Sequence, residues 1–237
     1  MTINYRDVFV PSSEPVPALP RSNGAQYHSA KRPVRRGAYR NGGKRLIDLG
    51  LCILGAPFVV PLIALMAILV ARDGGKPFYS QLRIGRGGRT YRIWKMRSMV
   101  KNADDILEAH LAADPQAKAE WDRTQKLKSD PRITRFGHIL RRSSLDELPQ
   151  LWNVVRGEMS LVGPRPMMTS QKALYPGHDY YDLRPGITGS WQVSDRNAST
   201  FAERAVFDTA YNKDLSLGED ARILKDTVSV VLKATGY

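Results

Sequence analysis

Cysteine is nearly absent from this 237-residue chain: Cys52 stands alone, so no intramolecular disulfide can form. Histidine is scarce as well. His28, His110, His138 and His178 lie far apart, with no spacing that would gather imidazoles around a metal. Acidic residues are missing from Pro15 to Ile47, and charge of either sign is missing from Leu49 to Ala71. Neither a G-x-x-x-x-G-K-[ST] loop nor a G-x-S-x-G elbow occurs, which excludes P-loop nucleotide hydrolysis and the α/β-hydrolase mechanism. The short "GRGG" reads as a turn and no internal repeat is present.

What the chain does carry is positive charge. Its 36 basic and 23 acidic residues leave a formal +13, which calls for an anionic partner: nucleic acid, an acidic membrane surface or a phosphorylated substrate. Residues 1–40 are rich in Pro, Ser, Gly and Arg without periodicity and read as a disordered basic arm. Aromatic residues do not interleave with that arm and no reader motif appears, so no nucleic acid partner is expected. The arm is not read as a secretory signal, because the apolar run begins too late and lacks a small-residue cleavage site.

The uncharged run "LGLCILGAPFVVPLIALMAILVA" is long enough for a membrane helix of roughly 35 Å. Two features oppose simple crossing. Pro57 and Pro61 each remove a helical hydrogen bond near its middle. Both flanks are basic, with Lys44 and Arg45 before it and Arg72, Lys76, Arg83, Arg86 and Arg89 after it, which assigns both ends to the cytoplasm. Residues 41–73 therefore read as a re-entrant helix broken at Ala56–Pro57, with a proline-containing crossing helix as the alternative.

Residues 74–237 read as a cytoplasmic domain, α+β and mostly helical. "PFYSQLRIGRGGRTYRIWKM" predicts a short β-hairpin turning at Gly85–Gly88. Helical patterning covers Asp104–Lys128 with an interruption near Pro115, then Leu148–Val155, Phe201–Tyr211 and Glu219–Lys233, the last two amphipathic. "GEMSLVGPRPMM" reads as a loop.

"RRSSLDELPQLWN" concentrates the chemistry. Ser144 and Glu147 have capping-box spacing, and Asp146 would suit a helix N-terminus. Pro149 opposes a helix there and pushes Leu148 out of the α region, placing adjacent carboxylates at a bend. Arg165, fixed between Pro164 and Pro166, offers a guanidinium suited to phosphate, or a plain surface turn. Lys95 and Arg97 share a strand face by spacing and suit phosphate, lipid headgroup or solvent. Arg141 and Arg142 suit a lipid phosphate or general attraction to anionic membrane lipids.

Beyond these local readings, Lys44–Lys233 resembles the bacterial sugar transferases, or monotopic phosphoglycosyl transferases. The similarity lies in "KRLIDLGL", the proline-broken apolar run, "PFYSQLRIG", "KMRSM", "DPRITRFGHILRRSSLDELPQLWNVVRGEMSLVGPRP" and "LRPGITGSWQVSDRN". It points to the short, exopolysaccharide-initiating members. The resemblance implies a re-entrant membrane helix hairpin with amphipathic interfacial helices on the cytoplasmic face of the bacterial inner membrane. It implies transfer of a sugar-1-phosphate, galactose or glucose, from a UDP-sugar to undecaprenyl phosphate with release of UMP. Within it, Asp146 is the nucleophile, Glu147 a Mg²⁺ ligand, and Pro164, Arg165 and Pro166 a contact to the uridine diphosphate. Asp208, in the helical stretch "FDTAY", completes the metal site or lies on a helix surface. Met96, Asp195 and Ala56 depart from the family pattern, and Asp195 adds charge near the expected site. A homo-oligomer stays open, and the competing class is a non-catalytic basic membrane adaptor.

Overall fold

The computed structural model describes residues 37–124, 127–194 and 201–232. The basic arm lies outside the described residues up to position 36, as does Asp195. Residues 38–40, expected at the arm's end, are helical, and two of them are tied to residues far along the chain. The Tyr39 hydroxyl donates to Asp220 (2.6 Å) and Arg40 donates to Asn212 Oδ1 (2.7 Å).

α1 runs from Lys44 to Ala71 with Pro57 and Pro61 inside it. The expected interruption at Ala56–Pro57 is not a break in the helical backbone: each proline deletes one hydrogen bond, and the turns on either side continue. The helix is long and apolar enough to cross a membrane. Its middle is exposed, with Phe58 80% and Leu54 73% accessible, whereas Asp48, Cys52, Met66 and Val70 near its two ends are buried.

Among the described residues, Gly37 and residues 104–131 fall in one compact unit with two helices. α2 (Ala103–Ala113) ends where Asp114 caps α3 (Pro115–Thr124), its Oδ1 accepting from the amides of Gln116 (2.8 Å) and Ala117 (3.1 Å). Pro115 takes the first helical position, where a missing N–H is harmless.

The second unit comprises residues 38–103 and 132–237. β1 (Phe78–Ile84) and β2 (Thr90–Met96) form the expected antiparallel hairpin, in register from Phe78↔Met96 to Ile84↔Thr90. α4 (Arg135–Arg142) and α5 (Gln150–Arg156) follow. β3 (Ser160–Val162), in the segment read as a loop, pairs in parallel with β4 (Gly186–Thr188), in a stretch for which no element was expected. α6 (Asp179–Asp182), α7 (Ser190–Val193), α8 (Arg204–Asp214) and α9 (Leu217–Leu232) complete it. The α+β, mostly helical class is as expected.

Glycine permits the parallel pair. A Cβ on Gly163 would lie 2.3 Å from the Arg184 carbonyl oxygen, and one on Gly186 would lie 2.1 Å from the Gly163 amide. Only hydrogen side chains let these backbones approach.

Both ends of α1 join the core of this unit. Cys52 packs with Tyr91, Ile93, Val154 and Met159; Met66 and Val70 pack with Met96 and Leu140. Arginines hold the same two ends. Arg45 donates to the carbonyls of Val154 (2.5 Å) and Val155 (2.9 Å), and Arg97 to that of Val70 (3.0 Å). Met96, one of the departures from the family pattern, is fully buried in that packing.

Candidate active site

α4 starts cleanly because Thr134 accepts from the Gly137 amide (2.8 Å) and ends at Ser143. The chain then reverses through Ser144, the one non-glycine residue with positive φ (56°) among those described. A left-handed serine costs on the order of 1 kcal/mol, so packing must hold it there. A 3₁₀ turn, Leu145–Glu147, follows, and Pro149 sits at the N-cap of α5. The capping-box reading therefore fails: Ser144 makes no side-chain cap, and the proline ends up where its missing N–H costs least.

The turn presents its two carboxylates to Lys95 on β2. Lys95 Nζ lies 2.5 Å from Glu147 Oε1 and 4.0 Å from Asp146 Oδ2. Burial pushes the Asp146 carboxyl above the ordinary carboxylate range; Lys95 opposes this, Glu147 reinforces it and Arg141 opposes it. Arg141 is itself anchored to Ser98 Oγ (2.9 Å).

A buried asparagine that sequence reading passed over keeps the turn in place. Asn153 on α5 accepts from the Trp94 amide (3.1 Å) and donates to the Arg92 carbonyl (2.7 Å) and to Glu158 (2.6 Å). The start of α5 is thereby clamped to the strand that carries Lys95. No local pattern around "LWN" signals this, because both backbone partners come from a distant strand.

The Pro-Arg-Pro loop leaves β3 and returns to the hairpin, where the Ile84 amide donates to the Met167 carbonyl (2.9 Å). Pro164 is buried, and Arg165 and Pro166 are partly exposed. Arg165 stands 5.8 Å from the centre of the Trp191 ring. Upstream, the buried Asp48 of α1 accepts from Ser160 Oγ (2.7 Å) and the Leu161 amide (3.2 Å), coupling α1 to the strand that launches the loop.

Asp208 belongs to a different cluster. It is buried on α8, its Oδ2 accepts from the Tyr175 hydroxyl (2.6 Å), and burial pushes its pKa up to about 7 against the opposing Tyr175 bond and Arg204 charge. Among the described residues no three or more His, Cys, Asp or Glu side chains gather as a metal cage, so Asp208 is not assembled with Asp146 and Glu147.

Lys95, Asp146, Glu147 and Arg141 are thus brought together. Arg97 faces Asp73 (2.5 Å) and the end of α1, because β2 stops at Met96 and the expected shared face ends with it. Arg142 is exposed on α4. A cleft of about 390 Å³ lined by Ser190, Tyr211, Asp214 and Arg222 contains none of the expected site residues.

The adjacent carboxylates suit Mg²⁺, which binds through one or two carboxylates and completes its shell with water and substrate phosphate. A cation on Glu147 would compete with Lys95 for the same oxygen.

The family model for bacterial sugar transferase matches residues 39–234. A UDP-galactose-lipid carrier transferase of Erwinia amylovora is 51% identical over 195 residues, covering 81% of this chain and 41% of the relative. An undecaprenyl-phosphate galactose phosphotransferase of Salmonella typhimurium is 45% identical with the same coverage. The chain thus spans about two fifths of the length of these relatives. The exopolysaccharide production protein ExoY of Sinorhizobium fredii is 42% identical over 210 residues, covering 86% of this chain and 93% of the relative.

Proposed function

The chain belongs to the bacterial sugar transferase family, and from that premise we propose that it is a phosphoglycosyl transferase. It moves a sugar-1-phosphate, galactose or glucose, from a UDP-sugar to undecaprenyl phosphate and releases UMP. The reading rests on one observation: Asp146 and Glu147 are adjacent on a strained turn beside a lysine ammonium.

Asp146 attacks the sugar-bearing phosphorus. The bond to the UMP oxygen breaks as the carboxylate–phosphorus bond forms, leaving an aspartyl-phosphosugar and UMP. The undecaprenyl phosphate oxyanion then takes the phosphosugar and regenerates the carboxylate. Two anions repel, so Lys95 and Arg141 lower the barrier by offsetting charge where Asp146 approaches the diphosphate. Mg²⁺, held by Glu147, supplies further neutralisation of the phosphate oxygens when bound.

The polypeptide enters and leaves one leaflet, α1 bending at Pro57 and Pro61 while its helical turns continue, with the domain on the cytoplasmic face of the inner membrane. Support comes from the ends of α1, which both pack on one globular unit, whereas crossing would separate them by the roughly 30 Å hydrocarbon core. The exposed Ile139 and Trp152 on α4 and α5 supply apolar contact with the leaflet. UMP release from a panel of UDP-sugars, with short polyprenyl phosphate as acceptor, tests the reaction. No release from any sugar would leave a membrane adaptor. Labelling of an N-terminal tag from the periplasm would replace the re-entrant topology with a crossing helix.

A further inference from the structure

Three arginines distant in the chain come together without an ion-paired acid, and the one carboxylate that acts on them, Asp208, offsets only part of the Arg204 charge. Arg83 lies near the end of β1, Arg165 in the Pro-Arg-Pro loop and Arg204 at the first position of α8. The Arg204 guanidinium stands 4.2 Å from the centre of the Trp191 ring and 4.8 Å from that of Phe201, and Arg165 approaches the same Trp191. Among the described residues no carboxylate forms an ion pair with any of the three. Arg83 Nη1 and Arg204 Nε are buried without a hydrogen-bond partner.

Guanidiniums cannot shed their protons at neutral pH, so gathering them under partial burial is unfavourable unless an anion arrives. Their titration reflects this strain. Burial above all, with the Arg165 charge adding to it, pulls Arg204 down to about 10 and Arg83 below its ordinary value. Donors left unpaired in a native protein mark a place where a partner from outside is expected.

The cluster is continuous with the carboxylate turn. Tyr79 and Arg83 lie on one face of β1, four residues or roughly 13 Å apart. Tyr79 pairs with Lys95 across the hairpin, and its hydroxyl feels the charges of Lys95, Asp146, Arg141 and Arg83. One extended ligand can therefore reach from the arginines to Asp146.

We propose that Arg83, Arg165 and Arg204 form a single anion basin for the phosphates of a nucleoside diphosphate, with the Trp191 ring aligning the Arg165 and Arg204 guanidiniums. The inference rests on the donor assignment above and extends it from Arg165 to Arg83 and Arg204. A diphosphate offers enough acceptor oxygens to engage three forks, more than a monoester can. The lipid acceptor shares the phosphate chemistry, so the two ligands are titrated separately.

Calorimetric titration of the full chain in lipid nanodiscs, with UDP and with short polyprenyl phosphate in turn, tests the basin. Arg83→Gln and Arg204→Gln should each weaken UDP roughly tenfold or more, the scale expected for a charged hydrogen bond. Arg204→Lys should recover part of the loss, and polyprenyl phosphate affinity should stay at the wild-type value. Wild-type UDP affinity in Arg204→Gln overturns the basin while leaving the donor assignment intact. Loss of polyprenyl phosphate affinity instead hands the basin to the acceptor and overturns the proposal. Failure of the wild-type protein to bind UDP removes the donor assignment and the basin with it. Should Arg83→Gln not fold, the Arg204→Gln and Arg204→Lys pair still decides.

Discussion

The carboxylate turn and the arginine basin are charged sites built in opposite ways. Asp146 and Glu147 are neighbours in sequence, and their charge is offset by Lys95 inside the protein. Arg83, Arg165 and Arg204 come from three elements and have no carboxylate ion-paired to them among the described residues. Under the proposed reaction the contrast separates two tasks. A nucleophile has to be kept ionised and aimed before substrate arrives, so its countercharge is built in. A binding site gains most when its countercharge is the ligand.

Asp146→Asn should divide the two sites most sharply. Turnover should fall by roughly a thousandfold or more, as expected for a lost nucleophile, while UDP affinity measured by calorimetry stays unchanged. More than a tenth of the wild-type rate would remove Asp146 from the nucleophilic role.

Lys95→Met should cost roughly ten- to a hundredfold in rate. It also carries a directional test. Lys95 lowers the Asp146 pKa, so its removal raises that pKa further, and the acidic limb of the rate profile should move to higher pH. A limb that stays in place would mean that Asp146 does not control it.

Asn153→Ala removes the clamp between α5 and β2 and leaves the Trp94 amide and Arg92 carbonyl without their partner. A loss of about 2–4 kcal/mol in chemical denaturation is expected, with kcat falling more than UDP affinity. An equal loss in both would show that the two sites are not separable through this contact.

The smallest effect sharpens the boundary of the basin. Asp208 is held near 7 when folded against about 3.8 in the unfolded chain. The folded state binds more protons at this group between those values, so the Asp208 contribution to stability is full at low pH and is lost as pH rises toward 7. Asp208→Asn should flatten that slope in melting curves from pH 5 to 8. An unchanged slope would assign the pH dependence to other groups.

Much of the fold was legible in local pattern. The β-hairpin was visible because alternation and a Gly-rich turn act over a few residues, and the helix interruption at Pro115 because proline acts on its own turn. The parallel β3–β4 pair was not. Three-residue strands carry too little alternation, and their partners lie far apart in sequence. Within the site, the carboxylate pair announced itself through adjacency, whereas Arg97 was misjudged because strand spacing cannot tell that β2 ends one residue earlier.

The sequence alone determined the basic charge, an apolar segment of membrane length, the side-by-side carboxylates and the rigid arginine between prolines. These follow from composition, backbone stiffness and periodicity, all effects within a turn or two of chain. Only the tertiary structure decided that Lys95, 51 and 52 residues away, meets Asp146 and Glu147. It alone seats both ends of α1 on one unit and brings Arg165 and Arg204 to Trp191, with Arg83 close enough to feel the Arg165 charge. Such meetings depend on burying one set of apolar faces against another, and the path of the chain between them leaves no local trace.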